Sequence, residues 1–236
     1  MSNFQTTHWS LVLQAADPAS PDSALAMGQL CESYWYPAYA FIRRRGYSAH
    51  QSEDLTQEFF ARLLSKNFLA GVGPEKGKFR SFLLVCLTRF LANEWDRQSA
   101  QKRGGGRRPI PLDVEDAERR YSLEPSHNVT AERLFERRWA MTLLEKVLTK
   151  LQSDFTTAGK AELFNHLKPY LILDDDAPSY AQTAERLGMT PGALKVAVHR
   201  LRQRYALLLR AEVAHTTSGS EDVDSEIRDL LAAVKA

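Results

Sequence analysis

Apolar residues recur along this chain at intervals of three and four, the spacing that gathers them on one side of a helix. From 24 to 45 the stripe includes Leu30, Tyr34 and Ile42. Pro37 interrupts it and should kink the helix, and Gly46 suits the position just past its end. From 52 to 65, Leu55, Phe59, Leu63 and Leu64 form a second stripe, with Ser52 as N-cap. "KNFLAGVGPEKGKF" breaks the pattern as a loop, and an apolar-rich helix follows at about 80–101. "KRGGGRRPIPLDVEDAERR", with its glycines, prolines and mixed charge, predicts a mobile linker. Helical spacing resumes at about 131–152, 159–168, 179–187 and 190–211. After the polar break "AHTTSGSED" it returns at 223–234. No strand pattern or internal repeat interrupts this reading. The expectation is an all-α chain of two small helical domains joined by a flexible linker. The predicted parts are an N-terminal segment (1–23), a first domain (24–103), the linker (104–130), a second domain (131–212) and an acidic C-terminal extension with a helix (213–236).

Charge changes the picture only when it is divided along the chain. The whole carries +2, but residues 189–210 hold five Lys and Arg and no acid. Acidic stretches flank this block, with net −3 over 174–188 and net −4 over 211–236. Residues 1–112 carry net +5, and 113–136 net −4. Two basic blocks set among acidic segments suggest two surfaces that meet a polyanion.

The acid-free block also begins where a helix should. Ser179 and Gln182 have the spacing of a capping box, Gly188 ends the short helix that follows, and Thr190 with Pro191 opens the next. Two helices joined by a Gly-containing turn of this length form a helix-turn-helix signature. On a helical wheel Leu194, Ala197, Val198, Leu201, Tyr205 and Leu208 occupy one arc, the core face. Gly192, Val196, His199 and Gln203 lie opposite, with Lys195 beside them, and Arg200, Arg202 and Arg204 flank the core arc. Short or hydrogen-bonding side chains suit base edges, and cations at the rim suit phosphates. Thr190, Lys195, His199, Arg200, Arg202, Gln203 and Arg204 are therefore the candidate DNA contacts.

In the N-terminal half, "EDLTQEFFARLL" (53–64) followed by "KFRSFLLVCLTRFLANEWDRQSAQKR" (78–103) closely resembles the second conserved region of extracytoplasmic-function sigma factors of bacterial RNA polymerase. The stretch 179–204 resembles their fourth region, which binds the upstream (minus thirty-five) promoter element. "TTHWSLVL" near the start and "EIRDLLAAV" near the end look like a subgroup of the same family. The resemblance implies a sigma factor that directs core polymerase to promoters and assists DNA melting. It implies that Asp54, Gln57, Glu58 and Arg62, which share the outer face of their helix, grip the clamp helices of the largest polymerase subunit. It implies that the loop around Gly71, Gly73 and Gly77 captures a base flipped from the minus-ten element, with Phe68 or Phe79 stacking on it or buried in the core. Arg80, Arg89, Asn93, Arg97, Lys102 and Arg103 are the candidate minus-ten contacts. The chain departs from the family pattern at Arg89, where Asn is usual, and at Asn93, where Asp is usual. Promoter DNA and core polymerase are the implied partners; an anti-sigma or other regulatory protein is a further class that the resemblance admits.

Other classes fit less well. "GVGPEKGKF" misses the phosphate-loop spacing, has Phe79 where Ser or Thr is needed, and follows no strand. The histidines and the two cysteines lack metal-ligand spacing, and no nucleophile–base motif is present, so neither an enzyme nor a cofactor is expected. The alternative is a helix-turn-helix regulator that is not a polymerase subunit, but it would need a receiver or ligand domain that 24–103 does not resemble. No membrane insertion and no secretory signal are expected, and a cytoplasmic location follows. The tail is left with two outcomes. Ile227, Leu230, Leu231 and Val234 form a stripe that must bury itself. It either docks with its acids near the basic DNA-facing helices, or merely completes a core or a dimer.

Overall fold

A computed structural model describes residues 9–17, 19–63, 77–100, 114–124, 129–171, 177–214 and 220–235, and every regular element among them is a helix. Among the described residues no helix is long and apolar enough to cross a membrane. The chain divides into two compact units, one made of Met1–Thr142 and Val213–Ala236, the other of Leu143–Glu212.

The first unit is built on α2 (Ser23–Arg44), which follows the short α1 (Trp9–Ala16). From Tyr34 to Ile42 every α2 residue is buried, Pro37 included. A helix apolar on all sides is one that other elements surround. Around it stand α3 (Ala49–Leu63), α4 (Phe79–Ala100), α5 (Val114–Ser122) and the start of α6 (Ala131–Thr157). Phe60 and Leu63 of α3, Leu83 and Leu87 of α4 and Phe135 of α6 are all fully buried with Tyr34, Phe41 and Ile42. Burying side chains such as Phe41 and Ile42 contributes about 1.5–3 kcal/mol each. Tyr34 meets Phe79 edge-on at 5.6 Å, so Phe79 is a core residue.

Two helix starts differ from expectation. Ser52 does not cap α3; it is buried within it, and the cap lies a turn earlier. Ser48 Oγ accepts from the Gln51 amide at 3.3 Å, and Gln51 Oε1 accepts from the Ser48 amide at 3.0 Å. That reciprocal box satisfies two amides where Ser52 alone would satisfy one. The second difference is α5, a helix within the stretch read as linker. Glu115 and Asp116 in its first turn and Arg119 and Arg120 in its last oppose the helix dipole favourably. Its carboxylates clasp α2. Glu118 accepts from Arg43 Nε and from the Tyr39 hydroxyl, both at 2.6 Å. Just past α5, Glu124 accepts from the Tyr36 hydroxyl at 3.0 Å and pairs with Arg138 of α6. Burial would raise the Glu118 carboxyl, but the hydrogen bonds from Arg43 and Tyr39 prevail and hold it below its ordinary range.

The second unit contains the rest of α6 with α7 (Ala161–Leu171), α8 (Tyr180–Arg186) and, as far as Glu212, α9 (Pro191–Ala214). Leu151 of α6, Phe164 and Leu167 of α7, Ala184 of α8 and Leu194, Val198 and Leu201 of α9 form one core. The division falls inside α6, so the unit begins later than the expected boundary at 131.

The last helix, α10 (Ser220–Lys235), belongs to the first unit. Its buried face runs through Val223, Glu226 and Leu230, whereas Leu231 of the expected stripe is exposed. The inward face therefore contains a carboxylate.

Candidate nucleic-acid interface

The approach to α9 is fixed by local chemistry. Ser179 caps α8 in the expected box with Gln182, whose amide donates to Ser179 Oγ at 3.3 Å. Gly188 closes α8 at φ 62°, a left-handed conformation that a side chain resists. Its own amide donates to the Glu185 carbonyl, and the Met189 amide reaches back to the Ala184 carbonyl at 2.9 Å. Thr190 Oγ1 then accepts from the Ala193 amide at 3.2 Å, which starts α9. Tyr170 pins the turn from α7: its hydroxyl lies 2.8 Å from the Pro178 carbonyl and 2.6 Å from Thr183 Oγ1.

With Leu194, Val198 and Leu201 buried, the opposite side of α9 must face solvent. Gly192, Lys195, Val196, His199, Arg200 and Gln203 are all exposed there. Val196 is 49% exposed. Among the described residues no acid pairs with Lys195, His199 or Arg200. The other two arginines are engaged. Arg202 donates to the Tyr170 carbonyl at the end of α7 at 2.7 and 3.3 Å, and Arg204 pairs with Asp154 of α6 at 3.0 Å. Thr190 is exposed, but its hydroxyl serves the cap.

The candidates on α4 separate into two groups. Arg89 and Asn93 are exposed one turn apart. Beside them the sequence reading missed Trp95, 69% exposed, and Val85. Trp95 lines a cleft with Arg45, Tyr47, Gln51 and Thr88. Arg80, in contrast, is only 7% exposed. It pairs with Glu226 of α10 and its guanidinium lies 4.7 Å above the Trp139 ring. Lys78 meets the same Glu226 at 2.5 Å and Asp229 at 2.6 Å. The backbone of Arg97 belongs to α4, while Lys102 and Arg103, like Phe68, Gly71 and Gly73 of the loop, lie outside the described residues.

On α3, Asp54 is exposed and its carboxylate lies 3.1 Å from His50 Nδ1. Gln57 donates to Glu53 at 3.2 Å. Glu58 and Arg62 pair at 2.9 Å, and Arg62 also reaches Glu94 of α4 over the Phe90 ring. The four side chains thus share a half-exposed face, of which Asp54 is the most accessible. Comparison of the chain with protein-family models, with curated proteins and with solved structures finds no match to any of them.

Proposed function

We propose that this chain is a sigma factor of the extracytoplasmic-function type, which gives core RNA polymerase its promoter specificity. The observation that carries the reading is the outer face of α9: exposed, free of acids, and presented behind a capped four-residue turn. In this reading Lys195, His199 and Gln203 meet base edges of the upstream element, and Arg200 meets phosphate. Arg89 and Asn93, with Trp95 as a stacking surface, meet the minus-ten element. Asp54, Gln57, Glu58 and Arg62 contact the basic clamp helices of the largest polymerase subunit. The two ordered sequence resemblances, at 53–103 and 179–204, support assigning both surfaces to one protein.

Reconstituted transcription tests the reading. Core polymerase with the chain should initiate from a defined subset of a promoter library on which core alone is silent. Asp54→Lys should weaken co-purification with core while leaving the helical fold intact. Absence of core binding at low salt overturns the proposal.

A further inference from the structure

The start of α4 is basic, yet α10 covers it with carboxylates. Glu226 is 1% exposed, an exceptional burial for a carboxylate, and it takes Arg80 on one oxygen and Lys78 on the other. Asp229 adds a second contact to Lys78 and stands 3.9 Å from Arg80. The hydrogen bond from Lys78 holds the Asp229 carboxyl below its ordinary range against the opposing effect of burial, and the charges of Lys78 and Arg80 assist. The guanidinium carbon lies over the Trp139 ring.

A Lys and an Arg braced on an aromatic ring and converging on two carboxylates form a site with the chemistry of a phosphodiester clamp. Its present occupants come from a distant part of the same chain. Apolar burial on α10 is modest: Val223 and Leu230 are buried, but Leu231 is exposed. The charges are thus a large share of what seats the helix. Taking a buried ion pair out of water nearly offsets its attraction, so such a contact can exchange for another anion at little net change.

We infer that Lys78 and Arg80 form a phosphate-binding site for DNA, and that α10 closes it by presenting Glu226 and Asp229 in place of phosphates. The inference rests on the reading of α4 as a promoter-facing helix, and names its regulation. DNA and α10 compete for the same two cations, so Lys78 and Arg80 add no phosphate contact until α10 lifts.

A mixed-sequence 20-base-pair duplex, titrated with the full chain between 50 and 200 mM salt, tests this. Glu226→Gln with Asp229→Asn should bind more tightly at 50 mM salt. Two added phosphate contacts should steepen the salt dependence by about two in log–log slope, so that the gain shrinks roughly tenfold by 200 mM. Adding Lys78→Ala and Arg80→Gln should abolish the gain. Asp17→Asn with Glu32→Gln removes two exposed charges elsewhere. An equal gain there, or none in the first variant, overturns the inference. A measurement on the unaltered chain guards against misfolding of the variants: saturating duplex should speed amide exchange over 220–235, and unchanged or slower exchange overturns the inference. None of these readouts involves core polymerase. Failure to bind core would therefore sink the sigma-factor reading and leave the clamp standing; transcription without these changes would do the reverse.

Discussion

Lys195 on α9 and Arg80 on α4 come from basic segments of similar density, yet one is bare and the other sealed. The difference is where the nearest acids fall in space. Around Lys195 the acid-free stretch extends from 189 to 210, so local sequence is enough to keep the face open. Arg80 has a similar neighbourhood in sequence, but its partner Glu226 arrives from 146 positions away. Charge density along a chain therefore locates cations without saying which of them meet solvent.

The contrast implies that removing a sealed cation damages the fold, whereas removing a bare one damages only binding. Arg80→Ala leaves Glu226 buried beside fewer cations and should destabilise the first unit by about 3–5 kcal/mol in urea unfolding. A change below about 1 kcal/mol would mean that α10 shifts to rehydrate Glu226. Lys195→Ala should leave unfolding unaltered and weaken DNA binding by about 1–3 kcal/mol at particular base pairs. A uniform loss across sequences would instead make Lys195 a phosphate contact. Arg202→Ala removes a charged donor from the Tyr170 carbonyl and should cost about 1 kcal/mol of stability, with little effect on sequence preference. Arg204→Ala, whose pair with Asp154 is largely exposed, should cost no more than about 1 kcal/mol and lose that effect in high salt.

The smallest expected effect is a pH dependence. Burial raises the Glu212 carboxyl above its ordinary 4.5, although Lys146 and Lys150 pull against it. A carboxyl raised on folding binds its proton more tightly in the native state, so its charge counts against stability once pH exceeds the unfolded value. Glu212→Gln should therefore melt slightly higher than the parent at pH 7, with the difference vanishing as pH falls through 4.5. The opposite sign would show that the Lys146 contact, at 3.8 Å, outweighs burial.

What sequence reveals follows the same division between near and far. The core arc of α9 was legible because Leu194, Val198 and Leu201 repeat with the helix. The Ser179 box and Gly188 were legible because caps act over three or four residues. Ser52 misled because it stands just before the apolar stripe, whereas Ser48, a turn earlier, has Gln51 three residues on to complete a reciprocal box, and Ser52 is buried. α5 was hidden by the glycines and prolines ahead of it, although its acidic first turn and basic last turn were a usable signal. What holds it lies far back in the chain, at Tyr39 and Arg43. Similarly, nothing near Glu226 announces that it turns inward with Val223 and Leu230, because the reason is a guanidinium in another helix. The surface of α3 falls between: its four polar residues share a face as the wheel requires, but the reach of Arg62 to Glu94 depends on α4.

The separation of Arg80 from Glu226 also orders events in time. A ribosome adds about 5–20 residues per second, so Glu226 is made roughly 7–30 s after Arg80. During that interval α4 exists without its cover, because α10 docks only after residues 220–235 have been made. Each new molecule thus begins life open and closes only once α10 has been made. A partner that captures the nascent chain meets Lys78 and Arg80 before Glu226 and Asp229 have been made.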